Sequence, residues 1–407
     1  MLIYIVLVVK IKKGIEVKQL KPKKIFNQSS DETFNEARIL NGNPNGIFNF
    51  NSTNHKWATE LYKKMEARTW FPGQVNISKD KNNYLYLTPS EKRSYDLVLA
   101  QLIANDSIQT NQLMDRINSY ITSPIVNACL SRQSSEESTH SFSYSVMAED
   151  IAMDTDRIYN MHKHDDELAL KNKAVESMYD SLVKEYKDID LTESINTFHK
   201  LHGSNVKLSD LEYFINNLKN DIIEKHTENI TPTDEDLLIA FGANQILEEL
   251  VFPGGFIVLL SLGHKMPATA EMIAEIQKDE TLSHVQLFKN IFRTAVDESF
   301  DGVVPDTVTK KITEMIIDMS IAEKRWTKYV TQGLLGFSDR AIDIFIEDQA
   351  NNICNNLRLP LIFEKHKDNP LRKILNKTLK GGGTDSREAF FESNVASYSK
   401  GAVETDF

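Results

Sequence analysis

Punctuation constrains this chain more than any other feature. Its 407 residues hold only 16 glycines and 11 prolines, and the apolar-polar alternation of a half-buried strand is hard to find. Apolar residues instead keep a helical rhythm over 88–120, 124–152, 168–186, 234–262, 267–296, 305–333 and 339–357. Start signals support several of these segments. In Thr88-Pro89-Ser90-Glu91 a capping hydroxyl precedes a first-turn proline, and a glutamate closes the turn. Residues 188–233 are polar and predict a shorter helix with connecting loops. Residues 1–50 are rich in Asn, Gly and Lys, carry turn dipeptides at Asn41-Gly42 and Asn45-Gly46, and read as an extended arm. Gly381-Gly382-Gly383 marks a flexible linker into a tail that ends Glu404-Thr405-Asp406-Phe407. No internal repeat is visible. The reading is all-α: an arm over 1–50, one helical domain over 51–375 and a mobile tail over 376–407.

Charge and cysteine usage exclude several function classes. A formal net charge of −11 is unsuited to gripping phosphate backbones, so nucleic acid is not an expected partner. The two cysteines, Cys129 and Cys354, form no CxxC pair. A disulfide framework or zinc-thiolate site is therefore not expected, and a reducing cytoplasm fits best. The apolar run at 2–9 is far shorter than the roughly 20 residues of a spanning helix. It lacks the preceding positive charge and small-residue cleavage site of a signal peptide. It reads as a short strand, an ordered arm or the product of an upstream start, with no membrane implied.

Redox or hydrolytic chemistry must then come from other side chains. In Glu137-Ser138-Thr139-His140, four residues before Tyr144, the glutamate, histidine and tyrosine are three and four residues apart and share one helical face. Glu-x-x-His presents an oxygen and an imidazole nitrogen to one point, as in carboxylate-bridged iron and manganese bundles. A second segment, Asp279-Glu280-Thr281-Leu282-Ser283-His284, again places carboxylates ahead of a histidine, here with a spacing of four from Glu280. Two more carboxylates, Asp106 and Glu248, interrupt otherwise apolar helices. A buried carboxylate is costly unless paired or bound to a metal. Alone, each motif is as readily a solvated face. Jointly they offer four carboxylates, enough to neutralise two divalent ions, and one imidazole per ion.

These residues resemble the small, radical-generating (beta) subunit of class I ribonucleotide reductase, from about Arg38 to the C-terminus. The signatures are Asp106-Ser107-Ile108-Gln109, Glu137 to His140 with Tyr144, Glu248 with Phe252 and Phe256, and Asp279-Glu280 before His284. The resemblance implies a ferritin-like helical bundle with a dinuclear iron or manganese site, or a mixed pair. Asp106, Glu137 and His140 would bind one ion, and Glu248, Glu280 and His284 the other, with Glu137 and Glu280 bridging. Tyr144 would carry the radical. Trp70 would lie on the electron-transfer route, Asp279 would link it to His140, and Tyr398 would serve a relay in the tail. The last residues would dock on the large (alpha) subunit, which reduces ribonucleotides to deoxyribonucleotides, and the chain would form a homodimer.

Two features depart from the family pattern. Glu280 and His284 are four apart where the family has three, which implies a helical bulge or a different metal preference. Pro253, soon after Glu248, predicts a kink. The alternatives are a di-metal oxidase or oxygenase acting on its own small substrate, and a ferritin-type storage protein. Neither needs Trp70, Tyr144 and a tail bearing Tyr398.

Overall fold

The computed structural model describes residues 20–179 and 232–379. Thirteen α-helices lie among them, and no β-strand. In chain order they are α1 Lys56–Ala67, α2 Asp80–Leu85, α3 Pro89–Gln112, α4 Pro124–Met147, α5 Thr155–Tyr159, α6 Asp166–Ser177, α7 Asp234–Ile246, α8 Phe252–Ser261, α9 Pro267–Asp279, α10 Val285–Ser299, α11 Asp306–Val330, α12 Asp339–Asn356 and α13 Arg372–Leu379.

The start signals act as their chemistry dictates. Thr88 Oγ1 accepts from the Glu91 amide at 3.3 Å while Glu91 Oε2 accepts from the Thr88 amide at 2.9 Å. Thr233 and Asp236 repeat the reciprocal cap at the head of α7. By contrast, α1 announces itself poorly in sequence. Its capping residue is His55, in the left-handed region and without a side-chain cap bond. His55 is held instead by tertiary contacts, to Ser123 Oγ at 2.8 Å and Glu298 Oε1 at 2.7 Å. These contacts pin the end of the N-terminal arm to the bundle, and Ile39 and Leu40 of the arm are fully buried.

The core is a bundle in which α3 packs on α4 and α8, α4 on α9, and α7 on α10 and α11. Outside it, α1 lies on α4 and α12 on α11. The stretch Asp234–His264 is long and apolar enough to cross a membrane, but 83% of its most apolar window is buried inside the protein. It is the central core rod. Its Gly242 permits a close approach: a Cβ there would stand 2.6 Å from Ile312 Cδ1 and 2.9 Å from Cγ1 on α11. Gly242→Ala is expected to overpack this crossing and cost about 1–3 kcal/mol of unfolding free energy by denaturant titration.

Four of the helical rods in the bundle each carry one π turn. π turns occupy Leu113–Ile117 after α3, Ala148–Ala152 after α4, Leu247–Val251 between α7 and α8, and Glu280–His284 between α9 and α10. The third explains how Pro253 is accommodated. Proline has no N–H for the carbonyl four residues earlier, that of Glu249. That carbonyl lies in the π turn and accepts instead from Gln349 Nε2 of α12 at 2.6 Å. The expected disturbance of the rod thus takes the form of a widened turn immediately before the proline.

Candidate metal centre

Asp106 comes from α3, Glu137 and His140 from α4, Glu248 from the π turn after α7, and Glu280 and His284 from the π turn after α9. All six are buried to 1% exposure or less. They form two overlapping clusters, each with ligand atoms mutually within 4.8 Å: Asp106, Glu137, His140 and Glu280, and Glu137, Glu248, Glu280 and His284. Glu137 and Glu280 belong to both. The π turn bears on the four-residue spacing, since Glu280 Oε2 and His284 Nδ1 meet at 2.5 Å within it. Such turns recur at functional sites because they let an extra residue into a helix without turning its neighbours away.

The two imidazoles are arranged alike. His140 turns Nδ1 inward, 3.1 Å from Glu280 Oε1 and 3.5 Å from Glu137 Oε2, and Nε2 outward to Asp279 Oδ2 at 3.2 Å. His284 turns Nδ1 inward, 3.2 Å from Glu137 Oε1, and Nε2 outward to Glu136 Oε2 at 2.9 Å. An outer carboxylate fixes ring orientation and strengthens a histidine as a ligand. Glu136 has no place in the sequence reading, although Arg132 one turn earlier was a signal: its Nε donates to Glu136 Oε1 at 3.1 Å. Asp279 also accepts from Trp70 Nε1 at 2.7 Å, and the Trp70 and His140 rings stack at 6.3 Å. Trp70, Asp279 and His140 therefore form one continuous contact leading from the cluster to a buried tryptophan outside it. Tyr398 lies outside the described residues.

The donor set fits metal ions. Both oxygens of Asp106 and one oxygen each of Glu137 and Glu248 are buried without a well-formed hydrogen bond, and Glu280 Oε1 and His140 Nδ1 meet only as an ion pair at 3.1 Å. Leaving a buried polar atom unsatisfied costs about 1–3 kcal/mol, more if charged. A cluster of such atoms persists because something else satisfies it, and oxygen with imidazole donors suits iron or manganese.

The electrostatics of the cluster's own side chains favour protons on several of them. Burial, then the charge of Glu137, raises Asp106 well above the carboxylate range. Burial, then the charges of Glu280 and Glu137, does the same to Glu248. Burial opposes protonation of His140 and His284, but the charge of Glu280 leads a set of carboxylate contacts that overcomes it and raises both. Glu280 moves down: burial opposes its ionisation, and the two imidazoliums outweigh burial. Above about pH 4 the folded chain thus keeps protons on Asp106 and Glu248 that the unfolded chain has released, and above about pH 6.5 it keeps them on the histidines. The state holding more protons loses stability as pH rises. The depressed Glu280 acts in the opposite sense, only near and below about pH 4. The metal-free protein is accordingly expected to unfold more easily at pH 9 than at pH 6. Metal uptake is expected to release protons, a release visible by calorimetry in buffers of different ionisation enthalpy.

Tyr144 follows His140 by one turn and is fully buried. Its hydroxyl lies beside the Asp106 carboxyl but forms no well-aligned hydrogen bond. Burial, then the charges of Asp106, Glu280 and Glu137, raises it well above the ordinary phenol range. Other buried tyrosines are placed differently. Tyr179 donates toward the amides Asn244 at 3.1 Å and Gln109 at 3.3 Å, and Tyr84 donates to Asp96 at 2.8 Å, outside the cluster. Phe252 and Phe256 are fully buried, stack at 6.0 Å and belong to the same apolar core as Tyr144.

A helical bundle whose rods converge on a twin carboxylate–histidine cluster defines the ferritin-like class of dinuclear metal proteins. The sequence model of the family described as ribonucleotide reductase, small chain, matches residues 47–203 and 213–370. The ribonucleoside-diphosphate reductase subunit beta of Treponema pallidum is 27% identical over 401 residues, 95% of this chain and 97% of its own. That of Halalkalibacterium halodurans is 26% identical over 397 residues, 96% and 99% of the two chains. The ribonucleotide reductase R2 subunit from Clostridium botulinum has the same fold, with a TM-score of 0.71 at 24% identity over 89% of this chain and 99% of its own. The chain belongs to the ribonucleotide reductase small-chain family. It is therefore the beta component of an oxidoreductase that reduces ribonucleotides, with a large subunit as its partner and a dimeric arrangement.

Proposed function

We propose that Asp106, Glu137, His140, Glu248, Glu280 and His284 hold a pair of iron or manganese ions and that Tyr144 is the residue oxidised to a stored radical. The observation that carries this reading is the convergence of six buried donor residues, several with unsatisfied oxygens, one helical turn from a buried tyrosine whose hydroxyl lies beside Asp106. Two bound ions supply the redox equivalents with which oxygen becomes an oxidant. The chain's own residues do the rest. Carboxylates and imidazoles place that chemistry beside one phenol, and the apolar core keeps water from it. Burial among carboxylates makes the phenolate costly, so Tyr144 would pass its electron to the oxidant and its hydroxyl proton to a neighbouring base together, Asp106 being the carboxylate nearest at hand. Anaerobic loading with Fe(II), then exposure to oxygen, tests the proposal: a tyrosyl signal by electron paramagnetic resonance supports it. Metal bound with no organic radical under iron, and none under manganese, counts against it.

Trp70 and Asp279 are proposed as the way out. Their bond leads outward from His140 through Asp279 to Trp70, and the relay would continue through Tyr398 in the tail, which follows α13 after Leu379 and not from 376, and docks on the large subunit. A chain ending at Lys380 is expected to bind metal and form the radical normally yet to fail in complex formation and turnover with the large subunit. The family membership does not favour a free-standing oxidase, which would also leave this outward contact without a purpose.

A further inference from the structure

Glu248 is gripped by one of its two oxygens. Gln109 Nε2 of α3 donates to Glu248 Oε1 at 2.5 Å, and Gln133 Nε2 of α4 donates to the same atom at 2.7 Å. Glu248 Oε2 has no hydrogen-bond partner and lies 3.8 Å from His284 Nδ1, facing the second cluster. Both glutamines are fully buried. Gln133 reaches Glu137 Oε1 as well, at 3.2 Å with the same nitrogen, so one amide spans two carboxylates. Gln109 is itself held, because its carbonyl accepts from Tyr179 at 3.3 Å and from Gln112 at 3.4 Å. Gln112 bonds in turn to Asn244, one turn before Glu248 on the same rod. Two helices that carry donors of the first cluster thus each send an amide across to a carboxylate of the second.

We infer that Gln109 and Gln133 are positioning residues that restrict Glu248 to a single metal-facing oxygen, Oε2. The inference rests on the dinuclear reading above. For Glu248 to offer both oxygens to an ion, it would have to release two charge-assisted hydrogen bonds and strand buried amide protons without acceptors. The glutamines therefore limit how many protein donors the second ion receives and keep that side of the centre less crowded. The same grip keeps Glu248 ordered before any ion arrives, through rigid groups on α3 and α4 and not through the ion itself.

Cobalt(II) is a suitable probe, since its ligand-field bands report the number of donors. The full-length protein is titrated anaerobically and should take up two equivalents. In Gln109→Leu/Gln133→Leu the second equivalent is expected to bind about 10–100-fold more weakly. Its bands should also change in position and intensity as Glu248 offers a second oxygen, and the site built on Asp106 and His140, which shares only Glu137 with Gln133, should change less. Unchanged bands overturn the inference, whether or not affinity falls, because a packing role alone would weaken binding without changing the donor count. If the double variant does not fold, Gln133→Asn, whose amide stops short of Glu248, should show a smaller change in the same bands, and its absence again overturns the inference. Failure of the parent chain to bind two equivalents would instead overturn the dinuclear reading beneath it.

Discussion

Tyr144→Phe is expected to retain two metal ions per chain and to lose the organic radical entirely. Turnover with the large subunit should fall by about 10⁴-fold or more, as when an obligatory member of a catalytic unit is removed. The substitution removes one hydroxyl that lies beside the Asp106 carboxyl without a well-aligned hydrogen bond to it. It leaves the ring in its fully buried place. Stability should change little, because at most one poorly aligned contact is lost and a poorly satisfied buried hydroxyl is itself a cost. This separation of effects makes the variant informative: metal content and thermal unfolding stay constant while the radical and turnover vanish. Equal loss in Tyr84→Phe or Tyr179→Phe would mean that the centre does not select Tyr144.

Glu280→Ala is expected to have the broadest effect of any single change. Glu280 belongs to both clusters, touches His140 Nδ1 through Oε1 and His284 Nδ1 through Oε2, and leads the carboxylates that raise both imidazoles. Its removal deletes a donor from each site at once. Metal stoichiometry by elemental analysis should fall from two per chain toward zero, and radical formation should go with it. His284→Ala, which belongs to one cluster only, should keep more metal than Glu280→Ala. Equal retention of two ions in both variants would remove Glu280 from the ligand set.

What could be read from sequence here was what one helix decides alone. Glu137, His140 and Tyr144 lie within two turns of α4, so their shared face follows from helical geometry. Thr88 and Thr233 act through neighbours three residues on, and the Thr88 cap was visible for the same reason. The Glu280–His284 spacing stood out against the family's spacing of three and implied a helical bulge or a different metal preference; a π turn occupies Glu280–His284. The π turn that joins them at 2.5 Å depends on packing between rods. Glu136 and Gln133 escaped notice because their partners, His284 and Glu248, lie 148 and 115 residues away. The hint for Gln133 was its place one turn before Glu137, on the same face of α4. Helix α1 was missed because its start is fixed by His55 bonding to Ser123 and Glu298, a tertiary contact with no local motif.

Diffraction from crystals of the metal-loaded chain, recorded on both sides of the iron and manganese absorption edges, tests the central claim most directly. The expected result is two anomalous peaks, one among Asp106, Glu137, His140 and Glu280 and one among Glu137, Glu248, Glu280 and His284. Their edge behaviour would name each metal. A single peak, or peaks lying away from these six side chains, would contradict the account.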